Sequence, residues 1–175
     1  MPTPSGRAST PAALLDTNVI IEAVRIRGWK ALAGGRRVET VEECRNETQR
    51  GAPHRPGYVT VTAEDLSGLA AVHAVTDVER AVLVLAYPDA PDLDAGERDL
   101  LAHALAREAR GDSVWIVCSP DKACIRAVVA LGFGDHMVAL EELLASVGAH
   151  PKSRIAQQYT KEWLSRFRTA CLLGH

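Results

Sequence analysis

Two short apolar runs, each leading into an acid and then a helical pattern, constrain the fold of this chain most. Residues 12–15 (AALL) precede Asp16, and residues 114–118 (VWIVC) lie just before Asp121. Runs of this length are typical of strands buried on both faces, as in a parallel sheet. After each run, apolar residues recur every three or four positions, which indicates an amphipathic helix. The chain therefore contains strand-to-helix units.

The remaining segments continue this alternation. Further short strands are predicted at 37–40, 58–61 and 137–138, and helices at 19–32, 41–49, 64–73, 78–86, 94–110, 121–131 and 140–147. The prolines and glycines of 50–57 predict a loop. Strands that alternate with helices form a parallel sheet covered on both faces. We therefore expect an α/β fold, a three-layer α/β/α sandwich with a central, mostly parallel sheet.

The length of 175 residues favours one domain with appendages. We expect a flexible N-terminal tail at 1–11, the main domain at 12–150 and a C-terminal helical extension at 151–175. The extension predicts a helix over 154–173 and carries five basic residues against one acid, which could attract phosphates. Its apolar side suggests a homodimer or a protein partner.

The composition favours a cytoplasmic protein without a membrane partner. No apolar run approaches the roughly 20 residues that cross a bilayer, and residues 1–11 lack the apolar stretch of a signal peptide. The cysteines and histidines show no zinc-binding spacing, so the cysteines are expected to be free thiols. The three tryptophans are expected to be core or interface anchors.

Asp16 and Asp121 follow two predicted parallel strands, where ligands of open α/β sheets collect. Each of them alone could simply cap the helix that follows. The pair favours a metal site, because Mg²⁺ takes oxygen ligands that converge from several elements. Glu43 and Glu97 could complete such a site.

Four segments resemble the motifs of PIN domains, a family of metal-dependent nucleases. LLDTNVIIEA (14–23) resembles their opening motif, VEEC (41–44) the helix with their second acid, LDAGERDLLAHALA (93–106) their third motif and CSPDKA (118–123) their fourth. The segments occur in the family's order and span 12–140. The resemblance implies metal-binding, catalytic acids at Asp16, Glu43, Glu97 and Asp121, with supporting polar groups at Asn18 and Ser119.

The second acid has alternatives. Glu42 or Glu47 could take the place of Glu43, and Glu39 is a weaker competitor. Helical neighbours point about 100° apart, so only one of Glu42 and Glu43 can face the cleft.

The third acid, Glu97, has two acidic neighbours. We interpret Asp94 as the N-cap of the helix and Asp99 as a solvent-facing residue. Glu97 is then the acid of this segment that faces the cleft.

The resemblance implies an endoribonuclease that uses Mg²⁺ or Mn²⁺ to hydrolyse RNA phosphodiester bonds. Many bacterial PIN proteins are VapC-like toxins, which adds a small antitoxin protein as a partner, although the loop at 50–57 and the C-terminal extension exceed a minimal toxin. Basic residues around the first helix could contact the RNA backbone without reading its sequence. They are Arg25, Arg27, Lys30, Arg36 and Arg37.

Two other functions remain open at this point. The chain could be a non-catalytic PIN scaffold that binds RNA or a partner protein, for which loss of two acids would be the sequence signature. It could also be a phosphoryl-transfer or phosphoacceptor domain. That function predicts an Asp-x-Asp pair after the first strand, where this chain has Asp-Thr-Asn.

Overall fold

The computed structural model describes residues 10–51, 53–112 and 114–174. Most of the N-terminal tail expected at 1–11, residues 1–9, lies outside these ranges. The strands are β1 (Ala12–Leu15), β2 (Val38–Val41), β3 (Ala71–His73) and β4 (Trp115–Cys118). They form one sheet in the order β3-β2-β1-β4, and every neighbouring pair is parallel.

Helices cover this sheet. They are α1 (Thr17–Arg25), α2 (Trp29–Gly35), α3 (Glu42–Glu47), α4 (Ala63–Leu66), α5 (Asp77–Ala86), α6 (Ala95–Ala109), α7 (Lys122–Ala130), α8 (Leu140–Ser146) and α9 (Lys161–Leu172). The three-layer α/β/α sandwich expected from the sequence is confirmed. No helix among the described residues combines the length and the apolar character needed to cross a bilayer.

The core consists of two apolar clusters that share the sheet. Successive residues of a strand point to opposite faces. In β1, Leu14 therefore joins one cluster with α6 and α7, while Ala13 and Leu15 join the other with α1, α2 and α8. The sheet is thus buried on both sides, which explains why β1 and β4 are apolar runs rather than alternating ones.

The strand order reverses between β1 and β4. The chain places β2 and then β3 on one side of β1, and β4 pairs with its other side. Leu15 lies in register with Cys118, so the two strands end side by side. The residues that follow them, Asp16 and Ser119, therefore lie next to each other at the switch point, where open α/β folds bind their ligands.

The helix predicted over 19–32 is two helices. Arg27 has a left-handed φ of 59°, which breaks the chain between α1 and α2. The backbone bends where α8 packs closely, because a Cβ on Gly28 would lie 2.7 Å from the Leu144 side chain. A continuous helix would not fit this contact.

The third strand was misplaced by the sequence pattern. The strand predicted at 58–61 is irregular, and β3 lies at Ala71–His73, inside the helix predicted over 64–73. That helix lasts one turn, because the chain leaves it at Ser67 and Gly68 and then pairs with β2. The strand predicted at 137–138 is reduced to a single bridge between Val117 and Met137.

The C-terminal helix is shorter than predicted and packs on its own chain. It begins at Lys161, where the Thr160 hydroxyl accepts a hydrogen bond from the Trp163 backbone N–H. α9 contacts α7 and α8, and Leu164 is buried in the core. Its final residues, Leu172 and Leu173, are exposed.

Candidate metal centre

Asp16 ends β1 and is buried, with 2% of its surface exposed. It occupies the N-cap position of α1, yet its side chain accepts no capping hydrogen bond. Its Oδ2 instead accepts a hydrogen bond from the Ser119 hydroxyl at 3.3 Å. The pKa of Asp16 is raised from 3.8 to about 7, mainly by burial and also by the nearby charges of Glu47 and Asp121, which together outweigh the hydrogen bonds that lower it.

Asp121 lies beside Asp16 and caps α7. Its Oδ1 accepts hydrogen bonds from the backbone N–H groups of Ala123 and Cys124, at 2.6 and 3.1 Å. The Ser119 hydroxyl accepts one from the Asp121 backbone N–H, so this serine links the two strand ends. The capping and metal-binding interpretations are compatible here, because the cap occupies only one carboxylate oxygen.

Glu97 lies in the first turn of α6 and is also buried, with 5% of its surface exposed. Burial, together with the charges of Asp121, Asp16 and Asp94, raises the pKa of Glu97 to about 8. Glu97 therefore shares an electrostatic environment with both strand-end acids, as the sequence analysis proposed.

Asp16 and Glu97 differ from the other buried carboxylates. Those others each pair with an arginine, in the pairs Glu22–Arg25, Glu39–Arg107 and Asp99–Arg80. No such cation lies within 4.0 Å of Asp16 or Glu97 among the described residues. Burying an ionised carboxylate without a cationic partner costs free energy, so a cation bound near Asp16 and Glu97 would stabilise the fold.

The acid that α3 contributes to this region is Glu47. Its Oε2 accepts a hydrogen bond from the Thr17 hydroxyl at 2.6 Å, and its Oε1 accepts one from the Gly96 backbone N–H at 3.1 Å. Glu43, the residue implied by the family resemblance, instead forms an ion pair with Arg50 at 2.7 Å. Only Glu47 of the two contributes to the raised pKa of Asp16. We call Asp16, Glu47, Glu97 and Asp121 the acid cluster.

Gly96 allows α6 to approach α3 at this position. A Cβ there would lie 2.5 Å from Glu47 Oε2 and 3.0 Å from Cys44 Sγ. The glycine that precedes Glu97 in the sequence is therefore a packing requirement of the acid cluster.

The remaining acidic neighbours and the polar group at Asn18 have different roles. Asp99 is buried and receives two hydrogen bonds from Arg80, so the expectation that it faces solvent is wrong. Asp94 stands at the N-cap of α6 but makes no capping bond with its side chain. Asn18 is exposed, and its carbonyl accepts a hydrogen bond from the Tyr159 hydroxyl.

The donor set of the acid cluster suits a hard divalent cation, because every side chain offers carboxylate oxygens. In the acid cluster, no three side chains bring carboxylate oxygens within 4.8 Å of one another. Among the described residues, one other group of three potential metal ligands meets that distance. Mg²⁺ commonly keeps several waters and binds one or two carboxylates directly. The wider spacing is therefore compatible with contacts made partly through water.

The group that does meet this distance is Glu39, His73 and His103, which no sequence motif revealed. The two imidazole rings stack with centroids 4.0 Å apart, so their in-plane nitrogens lie side by side instead of converging on one point. Glu39 already pairs with Arg37 and Arg107, whose charges would repel a metal ion. Burial lowers the pKa of His103 to about 4. We interpret this group as a structural network between β2, β3 and α6.

Comparison with known proteins adds no family. The chain matches no family model, and no curated protein and no solved structure shows significant similarity to it.

Proposed function

We propose that this chain is a metal-dependent ribonuclease of the PIN type, which binds Mg²⁺ or Mn²⁺ at the acid cluster and hydrolyses RNA phosphodiester bonds. The observation that supports it most is the burial of Asp16 and Glu97 without a cationic partner, beside Asp121 at the switch point of the sheet. A purely structural role would favour paired acids, as the rest of the core has.

Asp16 and Asp121 are the residues that would hold the cation directly, with Glu97 and Glu47 in contact through water. A divalent cation at such a site supplies a water of lowered pKa and neutralises charge that develops on a phosphate. Ser119 bonds to Asp16 and to the backbone at Asp121, and so restrains the two residues relative to each other.

Protons accompany this binding. The pKa of Asp16 is about 7 and that of Glu97 about 8, so near neutral pH both carboxylates retain much of their proton before a cation binds. Binding therefore releases protons, and affinity increases with pH until both groups are ionised. A carboxylate of this kind, once it is ionised, can also accept a proton from a water at the site.

The biological setting that we propose follows from the same resemblance. RNA is the substrate, the cytoplasm is the compartment, and a small antitoxin protein is a partner if the chain acts as a VapC-like toxin. A homodimer is a further proposal.

The test is cleavage of a mixed RNA with Mg²⁺ or Mn²⁺, with and without a chelator. Asp16→Asn should lower the rate at least about 100-fold, since it removes a charged ligand of a catalytic metal. Asp77→Asn is the matched control, because this acid is fully exposed on α5 and should leave the rate unchanged. Cleavage that persists in Asp16→Asn would exclude the assignment. RNA binding without cleavage by the wild type would support the non-catalytic scaffold.

A further inference from the structure

A groove lies between α7 and α9, and Lys122 in its lining directly follows Asp121 of the acid cluster. It encloses about 380 Å³ and is lined by Lys122, Gln157, Trp163, Arg166, Phe167 and Ala170. We call it the α7–α9 groove. Its size is that of a site for a small molecule or a single nucleotide and not for a duplex.

The α7–α9 groove is positively charged. No carboxylate lines it, and among the described residues none lies within 4.0 Å of the side-chain nitrogens of Lys122, Arg126 or Arg166. Other basic residues of α9, such as Arg168, are paired with acids. Unpaired cations around an acid-free groove favour a ligand with phosphate charge.

A second, larger cavity continues the groove toward α1. It encloses about 900 Å³ and shares Gln157, Trp163 and Arg166 with the groove. It adds Arg25 and Arg154, together with the acids Glu141 and Glu162. Glu141 accepts a hydrogen bond from the Lys161 backbone N–H, and Arg25 pairs with Glu22. The larger cavity therefore carries acids as well as bases, whereas no acid lines the α7–α9 groove.

Two aromatic side chains lie in the same groove. The rings of Trp163 and Phe167 are nearly parallel, at 11°, with centroids 5.6 Å apart, and both side chains are half-buried. Lys122 Nζ and the Arg126 guanidinium lie 5.6 and 5.3 Å from the Phe167 centroid. Cations around a partly exposed aromatic pair form a combination that binds unpaired bases together with their phosphates.

Two chain connections link the lining of the groove to the acid cluster. Lys122 directly follows Asp121, at the start of α7. Gln157 lies in the same 3₁₀ turn as Tyr159, whose hydroxyl donates to the carbonyl of Asn18 at the start of α1. Both connections run through residues within two positions of a strand-end acid, Asp121 or Asp16.

We propose that the α7–α9 groove binds an unpaired nucleotide of the RNA strand, with its phosphates on Lys122 and Arg166 and its base against Trp163. The identification of the ligand as substrate rests on the proposed nuclease function, whereas the binding itself does not. Trp163, expected from the sequence only to anchor the fold, then also contacts the ligand.

The experiment measures binding in the presence of a chelator, so that cleavage is not required. Fluorescence anisotropy with labelled single-stranded RNA is compared with a duplex of the same sequence. The double variant Lys122→Ala with Arg166→Ala should weaken binding on the order of 10-fold and reduce the slope of log affinity against log salt by about 1.4, or about 0.7 for each lost phosphate contact. Arg55→Ala is the matched control, because this exposed arginine lines a different cavity, beside the loop that follows α3.

Tryptophan fluorescence gives a second readout. Trp29 and Trp115 are buried, with 3% and 2% of their surfaces exposed, so quenching by RNA reports on Trp163. In Trp163→Phe the quenching should disappear while an aromatic face, and most of the affinity, remain.

The outcomes separate this proposal from the proposed function. Equal affinity for duplex and single strand, or wild-type binding by the double variant, would overturn the groove assignment even if the protein cleaves RNA. If RNA binding meets these expectations but no metal-dependent cleavage is detected, the nucleotide site in the groove is supported and the proposed nuclease function is contradicted.

Discussion

Replacing Asp16 by asparagine should stabilise the metal-free protein while it removes the response to metal. Asp16 is buried, carries no cationic partner among the described residues, and lies close to the charges of Glu47 and Asp121. An amide of the same shape can still accept the hydrogen bond from Ser119. The amide carries no charge, so burial and the charges of Glu47 and Asp121 no longer oppose an ionised group at this position.

The magnitude follows from the raised pKa of Asp16. An increase from 3.8 to about 7 corresponds to roughly 4 kcal/mol, since each pKa unit is worth about 1.4 kcal/mol. The sign follows from linkage: the unfolded chain ionises near pH 4 while the folded one keeps its proton to about pH 7. Asp16 therefore does not destabilise the wild type below about pH 4, and the free energy of unfolding decreases as the pH rises from about 4 to about 7. Asp16→Asn lacks this pH-dependent loss of stability.

The assay is urea denaturation of the metal-free proteins at about pH 5 and about pH 8, repeated with excess Mg²⁺. The variant should gain up to about 4 kcal/mol over the wild type at the higher pH, gain less at the lower pH, and show no added stability with Mg²⁺. Asp99→Asn is a matched control that breaks a buried pair with Arg80 and should cost about 2 kcal/mol with the Mg²⁺ response retained. An equal gain at both pH values, or a variant still stabilised by Mg²⁺, would refute the reasoning.

Three further outcomes test the acid cluster. Because Asp16 and Glu97 must lose protons, the increase in melting temperature caused by Mg²⁺ should grow as the pH rises from about 6 to about 8; a flat profile would contradict it. Gly96→Ala should destabilise the protein by about 1–3 kcal/mol and weaken Mg²⁺ binding measured by calorimetry, since its Cβ would lie 2.5 Å from a Glu47 oxygen. In the RNA cleavage assay Glu47→Gln should lower the rate about 10-fold or more, and Glu43→Gln should not; the reverse order would restore the family assignment.

The convergence of Asp16 and Asp121 could be predicted from sequence because strand topology determines it. Each acid follows an apolar run, and adjacent parallel strands end at the same edge. The length of a buried strand varies little, so the residue after it is placed reliably. The same argument predicted the sandwich.

The choice between Glu43 and Glu47 could not be predicted in this way. Both lie on one short helix, and the side that faces the sheet depends on how α3 packs against α6. The deciding contacts are made by Thr17 and by the backbone of Gly96, which are distant in sequence. Periodicity gives the spacing of a helix face but not its direction.

The edge strand β3 was missed for a related reason. Its three residues, Ala71–His73, are half-buried, and the apolar residues 69–72 that include its start are alanine-rich, so the segment was assigned to the helix before it. Pairing with β2 determines their conformation, and local propensity does not. The buried contacts of His73 with His103 and Glu39 depend on the same pairing.

The acid cluster therefore has two halves that respond differently to mutation. Asp16 and Asp121 are held by the register of Leu15 with Cys118, at the centre of the sheet. Glu47 and Glu97 instead depend on the contact between α3 and α6, where a Cβ at Gly96 would force the Glu47 carboxylate to shift. A substitution that separates these helices should leave the strand-end acids in place while it alters water-mediated contacts to a cation. Such a substitution should reduce activity while metal binding is retained. Unfolding of the sheet would instead abolish both together, so the two measurements distinguish the two defects.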